Sequence, residues 1–355
     1  RDVIGHPEHL KNPRLSKLIE FYNTWYVPNN MALILVGDFD AETAKPMIAE
    51  TFSRLQPKEL PARPSYPEVQ LTGSKHYNLG YSPQIAWVYP GVKANDPDQE
   101  VIEFVCNLLS NGQTGLLDKI TIDGEVQYAG VGLDARRNTG RIIIQAVPYY
   151  DANQQMFESD KATEKIVMKE IDKIKAGEIS DEMIASLKRM YAQSYKVANE
   201  SSESKMNWLL SAFMYNLPLE QVLNANDHIQ ALTKEEIVRV AKKYFSQDHM
   251  TISFDEATKT NKAKTLPKPN IKPLEPVKDA KTAYAEAFKK LPKGQLKQTF
   301  NNFNDVQVSS LGENITLHYT PNTKNDVFSL TLRYGVGEHE MPLLPYAAAL
   351  MNNAG

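Results

Sequence analysis

One signature occurs twice in this chain, and it constrains the fold more than any other feature. The first copy runs from Ile19 through Trp25-Tyr26-Val27-Pro28 to Met31, then through an apolar stretch to Gly37 and Asp38. The second runs from Ile237 through Lys243-Tyr244-Phe245-Ser246 to Met250, then through Thr251 to Phe254 and Asp255. Each copy reads as an amphipathic helix ending in Tyr plus an apolar residue, a polar turn, a Met and a short apolar strand closed by Asp. A shared element at this distance indicates a tandem of similar domains, not a short solenoid repeat. The first copy lies so early that the chain is expected to begin partway through a domain.

The pattern along the chain supplies the rest of the organisation. Asn12-Pro13 opens the first helix with a cap and a proline at its first position. Asp40 caps a second helix, and four prolines between residues 57 and 67 mark a linker. Residues 68–254 form one complete domain, with strands expected at 69–79, 84–89, 126–135, 141–147 and 249–254. Helices are expected at 97–109, 153–176, 181–198, 203–215, 218–231 and 234–245. Thr233 and Glu236 pair as a capping box at the start of the last helix. This order predicts an α+β fold of tandem two-layer domains, each an antiparallel-rich sheet with helices packed on one face. Eleven lysines and five prolines between Lys259 and Lys297 make residues 255–297 an extended linker, with a short helix at 282–291. Residues 298–355 restart the pattern: a hairpin at 306–309 and 314–319, a strand at 326–334 and a helix at 342–351. Residues 1–56, by the same reading, close an earlier domain.

Composition narrows the function classes. The formal net charge is −3 with mixed signs, which gives no reason to expect nucleic acid or an anionic lipid surface. The single cysteine, Cys106, sits in an apolar helical run and reads as a small core residue. It rules out an intrachain disulfide and a thiolate zinc cluster. No apolar run is long enough for a membrane-spanning helix.

The segments Ile4 to Leu10, Phe21 to Met31 and Leu35 to Asp40 resemble the closing half of the N-terminal domain of the pitrilysin/insulinase family of inverted zinc metallopeptidases. Asn111-Gly112-Gln113-Thr114-Gly115-Leu116-Leu117, followed by Val126 to Val131, resembles that family's glycine-containing loop and strand in the second domain. The resemblance implies a clamshell of homologous domains around a chamber, joined by a hinge, that cleaves peptides or unfolded polypeptide with one zinc ion. It implies zinc in a longer parent protein, with the missing domains or a paired subunit as partner. The resemblance leaves the compartment open: members occur in the bacterial periplasm, in organelles and in the cytosol, and the bacterial periplasm or cell envelope suits the parent.

The chain offers no metal ligands and no catalytic residue. The motif H-x-x-E-H does not occur among its seven histidines. His6-Pro7-Glu8-His9 spaces its histidines three apart in a predicted loop, and Gly337-Glu338-His339-Glu340 reads as a surface turn. By resemblance, the zinc ligands belong upstream of Arg1. Four residues carry an expected substrate role. Tyr128 matches a substrate-contacting tyrosine of the family, although Thr121 stands where the paired arginine belongs, and the residue itself reads first as a core or rim tyrosine. Asn111, Gly112 and Gly115 match a loop that anchors the substrate's amino end, although the glycines also suit a tight helix–loop turn. The expected function is thus a zinc metalloendopeptidase fragment that supplies chamber wall and peptide binding. The alternative is a non-catalytic scaffold or partner subunit.

Overall fold

The computed structural model describes residues 14–63, 70–78, 83–254, 281–292, 294 and 303–353. The chain divides into two compact units, Arg1–Leu291 and Pro292–Gly355.

The larger unit is organised by a five-stranded sheet of order β1-β7-β2-β4-β3. Its strands are β1 (Lys75–Asn78), β2 (Gln84–Pro90), β3 (Val126–Ala135), β4 (Gly140–Pro148) and β7 (Met250–Phe254). The β2–β4, β2–β7 and β3–β4 pairs are antiparallel, and only β1–β7 is parallel. Alternation sets the two faces. Ile85, Trp87 and Tyr89 of β2 and Ile142, Ile144 and Ala146 of β4 are buried on one side. Val88, Ile143 and Val147 are half-buried on the other.

The helices of the core cover the first face. Those in the core are α3 (Gln99–Leu109), α4 (Leu116–Ile122), α5 (Asp160–Ala176), α6 (Asp181–Glu200), α9 (Ala225–Ala231) and α10 (Lys234–Phe245). On α3, Val101, Ile102, Val105, Cys106, Leu108 and Leu109 recur at helical spacing, and all are buried. Trp87 is fully buried among these helices and donates its indole N–H to Glu164 Oε1 at 3.2 Å. Burial pushes the Cys106 thiol up, with Glu103 adding to the shift, so the thiol stays protonated and inert.

Local chemistry sets the helix ends. Ser159, Ser180 and Ser201 accept from the third residue of α5, α6 and α7 (Ser202–Tyr215). The capping box Thr233/Glu236 opens α10 as expected. The helix expected from residue 153 begins at Asp160 instead. Residues 150–151 pair with 156–157 as the hairpin β5–β6, and Ser159 then supplies the cap. The helix expected over 218–231 divides at Asn224 into α8 (Leu219–Leu223) and α9.

The flanking segments differ. α1 (Leu15–Trp25) and α2 (Ala41–Phe52) form where expected, the latter capped by Asp40, but neither contains a buried residue. The strand expected at 31–36 has no ladder. Within the linker, α11 spans Ala283–Lys289; residues 255–280 lie outside the described set.

The smaller unit holds the hairpin β8 (Gln307–Gly312) with β9 (Ile315–Tyr319), and the helix α12 (Leu344–Asn353). The strand expected at 326–334 is likewise without a ladder.

Candidate functional site

β3 lies at the edge of the sheet, so one side of its backbone pairs with no strand among the described residues. Its register against β4 slips between Val126 and Tyr128, which makes a bulge at the start of the strand. Thr121 braces this bulge. Its Oγ1 accepts from the Ala129 N–H at 3.1 Å and donates to the Leu117 carbonyl of α4 at 3.0 Å. The residue at the position expected for an arginine thus joins helix to strand.

Tyr128 follows the bulge and is 49% exposed. Its hydroxyl lies over Gly130, where an added Cβ would meet the Tyr128 Oη at 2.5 Å and the Ser110 Oγ at 3.6 Å. The absent side chain at Gly130 therefore makes room for the phenol beside the loop that leaves α3.

That loop is built around one carboxylate. Asp118 of α4 accepts from the Ser110 hydroxyl at 2.9 Å and from the backbone N–H groups of Asn111, Gln113 and Gly115 at 2.9, 3.1 and 2.9 Å. A concave ring of N–H groups is an anion receptor, and here its anion is internal. Asn111 completes the loop. Its Oδ1 accepts from the Gln113 and Thr114 N–H groups, and its amide donates to the Asn107 carbonyl and the Thr114 hydroxyl. Both of its side-chain polar atoms are engaged within the loop.

The glycines have conformational duties. Gly112 adopts φ +83°, and a Cβ at Gly115 would sit 2.4 Å from the Leu109 carbonyl oxygen. Asn111, Gly112, Gly115 and Tyr128 thus gather at one end of the edge strand. Asp118 and Thr121 organise them, and sequence reasoning missed both roles. The available signal for Asp118 was its place in the first turn after a glycine, where an acid bonds back to the helix start.

A second densely bonded acid lies elsewhere. Asp98, at the start of α3, is buried and bonds Arg239 at 2.8 Å, Lys243 at 2.7 Å and the Tyr244 hydroxyl at 3.1 Å, all on α10. Burial pushes its carboxyl up, and the three hydrogen bonds outweigh burial and hold it down at about 2. Three donors from one helix make it a clamp between α3 and α10.

The histidines are dispersed. His76 Nε2 bonds Ser253 Oγ at 2.7 Å, and His228 Nδ1 meets Glu100 Oε2 at 3.1 Å. His249 stacks on Tyr89 at 4.5 Å between ring centres. His318 is exposed on β9, and His339 sits in an exposed turn as expected. His6 and His9 lie outside the described residues. Among the described residues no three His, Cys, Asp or Glu side chains come together to hold a metal. A zinc site needs at least three such donors, so the described residues do not fit one.

Comparison with known proteins points the same way as the geometry. Residues 14–191 match the model of the peptidase M16 inactive domain. The chain is 21% identical over 258 residues to the zinc protease PqqE of Helicobacter pylori, which covers 71% of this chain and 57% of that protein. Its fold is similar to the solved first half of the periplasmic protease PqqL from Escherichia coli, with TM-score 0.56, 18% identity and 72% and 57% of the two chains covered. It is also similar to the ferredoxin protease FusC solved in complex with Arabidopsis ferredoxin, with TM-score 0.52, 18% identity and 72% and 30% covered. The chain therefore spans less than two thirds of each relative.

Proposed function

The chain belongs to the peptidase M16 family of pitrilysin/insulinase-like zinc peptidases, and on that premise we propose that it is the polypeptide-holding, non-catalytic part of a longer zinc metalloendopeptidase. The observation that carries this reading is the convergence of Tyr128, Ser110 and a pre-shaped loop at the start of the edge strand β3, whose Ala129 N–H is already held by Thr121.

An extended peptide can pair with such an edge through main-chain hydrogen bonds, and Tyr128 offers it an amphipathic surface. The loop N–H groups of Asn111, Gln113 and Gly115 are taken by Asp118 and the Gly115 carbonyl by the Lys119 N–H, so an incoming donor would be received by the carbonyls of residues 111–114. Acceptors beside a carboxylate suit the ammonium of a peptide amino end better than a carboxyl end. In this reading Asn111, Gly112 and Gly115 act by shaping the loop, and Tyr128 touches the peptide.

The open sheet face, with half-buried Val88, Ile143 and Val147 and 44% exposed Tyr77, would line the chamber. Residues 1–56 and 298–355 would belong to the flanking domains, a reading supported by the exposed apolar faces of α1 and α2 and of the 326–334 segment. Residues 57–67 would link the first domain to the second, 68–254, and residues 255–297 would be the hinge. Zinc would be held by ligands of the parent outside this chain, and a periplasmic location follows the PqqL relative.

The test is peptide binding by fluorescence anisotropy. An unfolded decapeptide should bind, and N-methylation of alternate backbone amides should weaken it by about tenfold or more. Tyr128→Ala should weaken it by about fivefold or more. Equal binding of the methylated peptide, together with an unaffected Tyr128→Ala variant, would overturn the reading.

A further inference from the structure

A cleft of about 650 Å³ opens between the 29–30 and 60–63 segments on one side and the C-terminal turn of α7 on the other, with Arg137 of the β3–β4 turn at its wall. Among the described residues its lining contains two guanidiniums, Arg63 and Arg137, and no carboxylate. Arg137 is half-buried and has no hydrogen-bond or ion-pair partner among the described residues. Its neighbour Arg136, in contrast, pairs with Asp134 at 2.8 Å.

Arg63 is held in place. It donates to Asn30 Oδ1 at 2.9 Å and lies over the Trp25 ring, and Asn30 in turn donates to the Trp25 carbonyl at 2.9 Å. A guanidinium has five N–H donors, so this fixed group retains most of them. Two cations in one half-sheltered cleft without a counter-charge among the described residues attract an anion, and guanidinium matches carboxylate in a two-point fork.

The rest of the lining says what carries that anion. Phe213 and Met214 are 47% and 51% exposed, Leu60 is half-buried, and the Asn216 amide faces no partner among the described residues. Apolar surface and an amide beside the cations suit a polypeptide better than a bare inorganic ion.

We propose that this cleft, set by Arg63 and Arg137, is a second polypeptide contact that binds a peptide carboxylate flanked by an apolar side chain. The proposal rests on the reading that this chain holds a polypeptide.

Three rhodamine-labelled decapeptides test it on the full 355-residue chain. One carries a single Glu before Leu and an amidated end; the second replaces Glu by Gln; the third is the Gln peptide with a free carboxyl terminus. At low salt, a carboxylate-bearing peptide should bind about fivefold or more tightly than the amidated Gln peptide. Preference for the Glu peptide assigns a side-chain carboxylate, and preference for the free terminus assigns a chain end. Equal affinity of all three overturns the proposal.

Arg137→Ala should abolish the preference. So should Asn216→Asp, because Asp tolerates the left-handed backbone at that position (φ +57°) and places a carboxylate in the cleft. A preference that survives both variants overturns the proposal. Tyr128→Ala should weaken all three peptides alike and leave their ratio unchanged. The ratio therefore tests the cleft, and the common loss tests the β3 site.

Discussion

The two copies of the repeated signature meet different fates. In the second copy, α10 buries Ile237, Val240, Ala241, Tyr244 and Phe245, and the following strand β7 pairs with β1 and β2. In the first copy, the equivalent Ile19, Tyr22 and Tyr26 are 51%, 59% and 59% exposed, and residues 31–36 join no strand ladder among the described residues. Only Val27, the counterpart of Phe245, is buried in both. The difference lies in what each element needs. A helix satisfies its own backbone hydrogen bonds, whereas a strand needs a neighbour to supply them. The 326–334 segment repeats the lesson, with Phe328, Leu330 and Leu332 at 84%, 73% and 67% exposure on backbone that joins no strand ladder among the described residues.

Matched substitutions give the largest test of this contrast. Ile237→Ala is expected to lower unfolding free energy by about 2–5 kcal/mol in denaturant titration, because it leaves a cavity in a closed core. Ile19→Ala is expected to change it by less than about 0.5 kcal/mol. A comparable loss at both positions would mean that the first copy is packed in solution.

Charge pairs sharpen the same contrast. Asp98→Ala strands two cations and a phenol and is expected to cost about 2–3 kcal/mol. Breaking the exposed Lys17–Glu20 pair of α1 with Glu20→Gln is expected to cost less than about 0.5 kcal/mol. The pH dependence has a definite sign. The folded Asp98 carboxyl titrates at about 2, below its unfolded value, so its contribution is complete above about pH 4 and disappears as the pH falls through 2. Acid unfolding of Asp98→Asn should lack that component, which amounts to about 2 kcal/mol.

A smaller effect separates the glycines. Gly115→Ala drives a Cβ against backbone and is expected to cost about 1–3 kcal/mol. Gly132→Ala, with nothing within 4 Å of the new atom, is expected to stay within about 0.5 kcal/mol. Hydrogen exchange completes the series: amides of β7 should be protected and those of 31–36 should exchange as open chain. Equal protection would show a partner strand for the first copy.

Much of the central fold was legible because periodicity and caps act locally. The expected 84–89, 126–135, 141–147 and 249–254 strands, and the 234–245 helix, differ from the observed elements by about a residue at most. The failures came where tertiary partners or turn chemistry decide. The 31–36 and 326–334 segments have strand composition without a ladder. The Gln155 turn, at φ +53°, ended a helix reading that started too early. The candidate site was legible only as a set of positions. Tyr128 and the 111–115 loop stood out in the sequence, but Asp118 acts by collecting three backbone N–H groups, which no composition displays. The Asp98 clamp was equally hidden, since its three donors come from residues more than 140 positions away in the chain.

Asp118 has a further consequence. With an internal anion already seated among its amides, the 110–118 loop carries its own resident ligand and has little ordering left to undergo when a visitor arrives. Encounter there is expected to resemble docking onto a rigid shelf, quick and with a small entropic penalty. Asp118→Ala would turn the shelf into a tether whose calorimetric signature shifts toward unfavourable entropy.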